Sequence, residues 1–174
     1  GDIVAQETFR VEDNDTAWMI FQKNLPLSSL LLKKYLVPFL KRDIYCTPQN
    51  ERFVTYHPMG QFQYRPIKIE WDTVAVTLSA WIRARVFPPF QLPYFYINNS
   101  ERNKNAGVKV EVLQCRSRKV SQKTIPGKFS FEDGRFRVDA KWGVIELNAV
   151  KVDGRIFRGV ELLSLYQSIA SNDC

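Results

Sequence analysis

Two Asp-Gly dipeptides constrain this chain more than any other feature. Asp133-Gly134 separates Phe129-Ser130-Phe131-Glu132 from Arg135-Phe136-Arg137-Val138, and Asp153-Gly154 separates Lys151-Val152 from Arg155-Ile156-Phe157-Arg158. A two-residue turn between antiparallel strands needs positive φ at both positions, which glycine accepts freely and aspartate tolerates. The last third is therefore expected to hold two hairpins, alike through shared turn grammar and not through a true internal repeat. Val108-Lys109-Val110-Glu111-Val112 alternates in the same way and runs into the basic Arg116-Ser117-Arg118-Lys119.

Other segments extend the strand pattern. In Thr73–Val86 every even position is apolar (Val74, Val76, Leu78, Ala80, Ile82, Ala84, Val86), which predicts a long strand, bent or shared between two sheets. Arg52–Tyr56 reads as a short strand. Gln61–Trp71 alternates in two phases that slip at Pro66, the mark of a bulge or an edge. Phe90–Ile97, bracketed by prolines, reads as an edge strand, and Asn98–Ala106 as a polar loop.

Helices are expected at both ends. Asp13 or Asp15 caps a first helix from Thr16 that shows Trp18, Phe21 and Leu25 on one face and ends at Pro26. Ser28 or Ser29 caps a second, Leu30–Val37, which Pro38 stops or kinks. Val160–Ala170 forms the third, with Leu162, Leu165, Tyr166 and Ile169 inward. The expected class is α+β and β-rich. Its mainly antiparallel sheet is sandwich or barrel-like, with two N-terminal helices and a C-terminal helix in a single domain, 1–174.

Charge and cysteine usage narrow the setting. A net charge of +7 fits an acidic partner (nucleic acid such as RNA, an anionic membrane surface or an acidic protein), or serves only to keep the domain soluble. The three cysteines, Cys46, Cys115 and Cys174, show no C-x-x-C spacing, which argues for a reducing, intracellular compartment. Asn14-Asp15-Thr16 and Asn98-Asn99-Ser100 are chance-level glycosylation triplets. Neither a signal peptide nor a transmembrane segment is visible in the sequence.

The residues that carry chemistry are sparse. His57 is the only histidine, so a site of several imidazoles is excluded. There is no G-x-x-x-x-G-K-[ST] and no G-x-G-x-x-G to cradle phosphates. Asp133, Asp139 and Glu146 share one meander, and Glu70 and Asp72 flank Trp71, but sequence spacing does not show whether carboxyls meet in space. No catalytic residue, metal or cofactor is assigned.

The cationic residues are the stronger signal. Arg83 and Arg85 share one face of the expected long strand with Trp81; Arg116, Arg118 and Lys119 form the densest run; Arg135 and Arg137 follow the first hairpin turn. On a curved sheet these would merge into an anion- or nucleic-acid-binding groove. The resulting expectation is a non-enzymatic, basic binding or assembly protein, a viral structural or RNA-binding accessory protein by analogy. Two alternatives remain. One is an interaction module that self-associates or docks through an edge of Phe87, Phe90, Tyr94 and Tyr96; the other is an enzyme with a carboxylate-based site.

Overall fold

The computed structural model describes residues 1–56, 58, 65–97, 107–121 and 123–170. The chain divides into two compact units, Gly1–Gln63 and Tyr64–Cys174.

The first unit is built on one long helix, α1 (Ala17–Leu40). Its cap is Thr16, whose Oγ1 accepts the Met19 N–H at 3.2 Å. Asp15, an expected cap, instead accepts the Glu12 N–H and pairs with Lys23. The two helices expected on either side of Pro26 run as one, because a proline removes one donor without forbidding helical φ. The helix stops shortly after Pro38. None of its residues is buried. Ile3 and Thr47 exchange backbone hydrogen bonds of 2.8 and 2.9 Å. The strand expected at Arg52–Tyr56 is absent: Asn50 Oδ1 takes the Arg52 N–H at 3.1 Å and starts a 3-10 turn, Glu51–Phe53.

The second unit carries the sheet. Its elements are α2 (Ala75–Arg83), β1 (Tyr94–Ile97), β2 (Val108–Arg118), β3 (Phe129–Glu132), β4 (Arg135–Ala140), β5 (Gly143–Val152), β6 (Arg155–Arg158) and α3 (Glu161–Ala170). The order is β1-β2-β5-β4-β3, all antiparallel, and β6 also pairs with β5. β5 is the spine. One edge meets β2 over residues 144–151; the other is shared between β4, against 143–147, and β6, against 149–152. The register of β2 on β5 shifts around Gln114, a bulge that bends the strand and helps the sheet curl into a half-barrel. The class expected from sequence is thus the one observed: mixed α+β, mainly antiparallel, with three α-helices among the described residues.

Both hairpins form as expected. Asp133 and Gly134 have φ of 51° and 71°, and Asp153 and Gly154 have 47° and 82°. Leu162, Leu165 and Ile169 of α3 are buried, and Tyr166 packs its ring against Phe129, Phe131 and Phe136. β1 is the terminal strand expected from Phe90–Ile97, and its Tyr94 exchanges hydrogen bonds with the segment that carries Ile67 and Ile69.

Thr73–Val86 does not form a strand. Its buried residues are Ala75, Leu78, Ser79, Ile82 and Val86, spaced at helical intervals, while Val76, Ala80 and Ala84 are exposed. Two of the alternate positions, Ala75 and Trp81, are themselves apolar and Ala80 and Ala84 are small enough to face water, so the two-residue pattern and a helical stripe coexist in the same letters. The helix wins because Ala75, Leu78 and Ile82 pack on the sheet's core face, beside Val112, Cys115 and Ile145. His57, residues 59–64 and the loop expected at Asn98–Ala106 lie outside the described residues.

Candidate functional site

The chemistry-bearing cluster of the second unit forms around Glu146, in the middle of β5. Val144, Glu146 and Asn148 alternate away from Ile145 and Leu147, which enter the core. Register then fixes the neighbours: Arg116 of β2 and Arg137 of β4 both lie opposite Glu146. Two residues along each strand, Arg118 and Arg135 fall on the same face.

All four guanidinium groups donate to the one carboxylate. Arg116 Nε reaches Glu146 Oε2 at 2.7 Å and Arg135 Nη1 the same oxygen at 2.8 Å. Arg137 Nε and Arg118 Nη1 approach Oε1 at 3.3 and 3.4 Å. A carboxylate has about four lone-pair sites, so Glu146 is saturated. Arg137 has two further acidic partners, Glu132 at 2.9 Å and Asp133 at 3.2 Å, and is itself nearly buried. Burial pushes the Glu146 carboxyl upward. The hydrogen bond and charge of Arg116, the bond from Arg118 and the charge of Arg137 outweigh it, and the net position is below the ordinary value.

Beside this cluster lies a recess of about 180 Å³, walled in part by Lys123, Thr124, Lys128, Ser130 and Asp139. Asp139 accepts the Ile125 N–H at 2.9 Å. Lys119 stands exposed just beyond β2.

The other expected cations do not join them. Trp81 and Arg83 lie on α2 and Arg85 in the turn just past its end, none of them on a strand. Arg83 donates to Ser79 Oγ at 3.1 Å, and Arg85 stacks on the Trp81 ring at 4.1 Å. Arg83 is near enough to Cys115 to draw its thiol pKa down, yet burial dominates and pushes that thiol up to about 12. Cys115 points to the core side and Arg116 to the opposite one, so the arginines are divided by the sheet. Of the expected aromatic edge, Phe90 and Tyr96 are exposed, while Phe87 and Tyr94 are half-buried. Lys109 sits 4.7 Å from the Tyr94 ring centroid.

By sequence spacing alone Glu146 stands only as one carboxylate in a meander. Its signal is the run Val144-Ile145-Glu146-Leu147: a lone acid inside an apolar strand must find cations when buried.

No known protein-family profile matches the chain. It is similar to the methionyl-tRNA formyltransferase of Mycoplasma capricolum subsp. capricolum, 29% identical over 125 residues, 72% of this chain and 38% of that protein. The methionyl-tRNA formyltransferase of Mycoplasma mycoides subsp. mycoides SC is 29% identical over 127 residues, again 38% of its length. Two solved structures share the fold at 19% identity. The N-formyltransferase of Helicobacter canadensis, in complex with folinic acid and dTDP-3-aminofucose, matches with a TM-score of 0.59 over 84% of this chain and 49% of that one. WlaRD, a sugar 3N-formyltransferase solved with dTDP and 5-N-formyl-THF, matches with a TM-score of 0.58 over 89% and 50%. The chain thus spans well under half the length of the curated relatives it matches.

These likenesses overturn several expectations. The similar proteins are enzymes, so the non-enzymatic binding or assembly role, with its viral, structural and RNA-binding associations, gives way to the enzyme alternative. The ligands named for the solved neighbours are a folate compound and a nucleotide or nucleotide sugar, in place of the RNA, anionic membrane or second copy expected as partner, and against the expectation of no small-molecule cofactor. The physical ground for the RNA reading has also narrowed, because Arg116, Arg118, Arg135 and Arg137 gather at one spot over Glu146 and Arg83 and Arg85 do not extend it into a groove. No helix among the described residues is long and apolar enough to cross a membrane, as expected from sequence.

Proposed function

We propose that this chain serves an enzyme that moves a formyl group from an N-formyl reduced folate to the nitrogen of a primary amine. The 125-residue likeness to a methionyl-tRNA formyltransferase carries the reading, and the shared fold with two sugar-type N-formyltransferases supports it. The named amines differ, but the chemistry is common. One N–C bond to the formyl carbon forms, another breaks, and a proton passes from the acceptor nitrogen to the donor nitrogen.

The described residues do not by themselves fit a reduced folate. A ligand of that size is ordinarily buried over most of its surface. A recess of about 450 Å³ in the sheet unit has Ser121, Lys123, Pro126, Lys141 and Trp142 among its walls, and all five are exposed. Glu146 is saturated, and Asp139 already holds a backbone N–H. We infer that donor binding and proton transfer fall to parts of the enzyme that the matched stretch does not represent. Free Cys46 and Cys115 go with a reducing, intracellular setting.

The test is a chimera in which this chain's matched stretch replaces the corresponding residues of the Mycoplasma capricolum enzyme. Formyl transfer to methionyl-tRNA and to dTDP-3-aminofucose is then followed by mass spectrometry. Retained transfer to either amine, with loss when an unrelated β-rich domain is inserted instead, is the expected result. A chimera that folds by circular dichroism yet transfers to neither amine overturns the reading.

A further inference from the structure

We propose that Arg116, Arg118 and Arg135 form a seat for the phosphate group of a small phosphorylated molecule, held open by Glu146. This does not rest on the formyl-transfer reading. Three observations carry it. First, the three guanidinium groups converge: each donates to the same carboxylate, at 2.7, 3.4 and 2.8 Å. Second, the three side chains remain 44, 54 and 43% exposed while Glu146 is 1% exposed, so the acid lies beneath and the cations form the outer layer. Third, their donors are not used up. A guanidinium has five N–H donors in a planar fork, and among the described residues none of these three pairs with a second carboxylate.

The charge balance favours an oxyanion. Arg137 is answered by Glu132 and Asp133, which leaves three outer guanidinium groups over one buried carboxylate. Guanidinium forks match phosphate oxygens in geometry as well as in charge. Glu146 acts here as a positioning residue, because side chains with about 2 kcal/mol of rotamer freedom are already ordered before a ligand arrives. The adjoining recess of about 180 Å³ shares Arg137 and is also lined by Val144, the register partner of Arg118. Thr124 and Ser130 are among the walls of this recess, where the rest of a compact ligand would lie. A doubly charged phosphate or diphosphate fits this layer better than a singly charged anion.

The experiment titrates the 174-residue chain with inorganic phosphate, pyrophosphate and dTDP in low salt, by calorimetry and by thermal shift. Saturable 1:1 binding of pyrophosphate is expected, with dTDP binding as well or better and inorganic phosphate more weakly. Arg118→Ala is the chosen variant, because Arg118 is the most exposed of the three and makes the longest bond. It should weaken pyrophosphate by about tenfold or more, the worth of a charged hydrogen-bond pair. Arg158→Ala removes one charge from exposed β6 and should change binding by less than about twofold. If Arg118→Ala does not fold, the rise in melting temperature of the unaltered chain with pyrophosphate still decides. The proposal fails if pyrophosphate neither binds nor stabilises at about 10 mM, or if Arg158→Ala weakens binding as much as Arg118→Ala. It also fails if an RNA oligomer displaces pyrophosphate far better than dTDP does.

Discussion

β5 and α1 are both rich in apolar residues, and they meet opposite fates. Of the ten residues of β5 only Asn148 is exposed. Of the 24 residues of α1 none is buried, and Leu30, Leu32, Val37 and Leu40 are all more than half exposed. The difference is not hydrophobicity. β5 has β2 on one edge, β4 and β6 on the other, and α2 packed against its sheet, so each apolar side chain gains contacts on several sides. α1 is held by its Thr16 cap, the Asp15–Lys23 pair and its own backbone ladder. Burial follows from the layers an element is given, and only then from its composition.

Thiol chemistry tests the contrast most sharply. Cys115 of β2 is 1% exposed, and burial raises its pKa from 9.0 to about 12. The thiolate reacts and the thiol does not, so at pH 8 its labelling should run about a thousandfold below that of an ordinary thiol, before any further loss from poor access. Cys46, in the first unit, is half-buried and free. Timed alkylation with mass mapping of the native chain should find Cys46 modified and Cys115 untouched until denaturant is added. Comparable rates at the two sites would mean that the sheet core opens readily.

The buried charge on β5 gives the next largest effect. Glu146→Gln keeps the size but leaves four guanidinium groups without their shared anion. Breaking a buried pair costs about 3–5 kcal/mol, and the lower end applies because three of the arginines reach water. The pH dependence carries the sign. The folded carboxyl is held below its ordinary 4.5, so its contribution is present above that value and is lost as pH falls below it. The stability gap between the parent chain and Glu146→Gln, read from urea unfolding, should therefore shrink on going below about pH 4.5. A gap that stays constant with acid would remove the carboxylate from the account.

How much of this was readable in the sequence depends on whether local chemistry or distant packing decides. Asp133-Gly134 and Asp153-Gly154 fixed their hairpins because both φ values are set within the turn itself. Leu162, Leu165, Tyr166 and Ile169 fixed the inner face of α3. Ala75–Arg83 was misread because its letters satisfy two periods, and the choice between them is made by residues far along the chain, such as Lys141, whose carbonyl accepts the Ala75 N–H at 3.0 Å. The cluster was half legible. Alternation alone puts Arg116 with Arg118, and Arg135 with Arg137. Their meeting over Glu146 depends on registers between β2, β4 and β5 that include a bulge at Gln114, which no local pattern announces. The likeness to formyltransferases was not legible at all, because it is a 29% identity over 125 residues that only a second sequence reveals.

The smallest effect comes from making the same truncation in each region. Leu147 of β5 is 2% exposed and Leu32 of α1 is 60% exposed. Leu147→Ala removes buried methyl groups and leaves a void in the core beside its register partners Cys115 of β2 and Phe136 of β4, at a cost of at least about 2 kcal/mol. Leu32→Ala opens no enclosed cavity in the structure and substitutes the best helix former, so it should fall within about 0.5 kcal/mol of the parent. Urea unfolding of the two variants side by side reads the difference directly. A loss at Leu32 that approaches the loss at Leu147 would show that Leu32 is buried in solution, and the contrast between an enclosed strand and an open helix would fail at that residue.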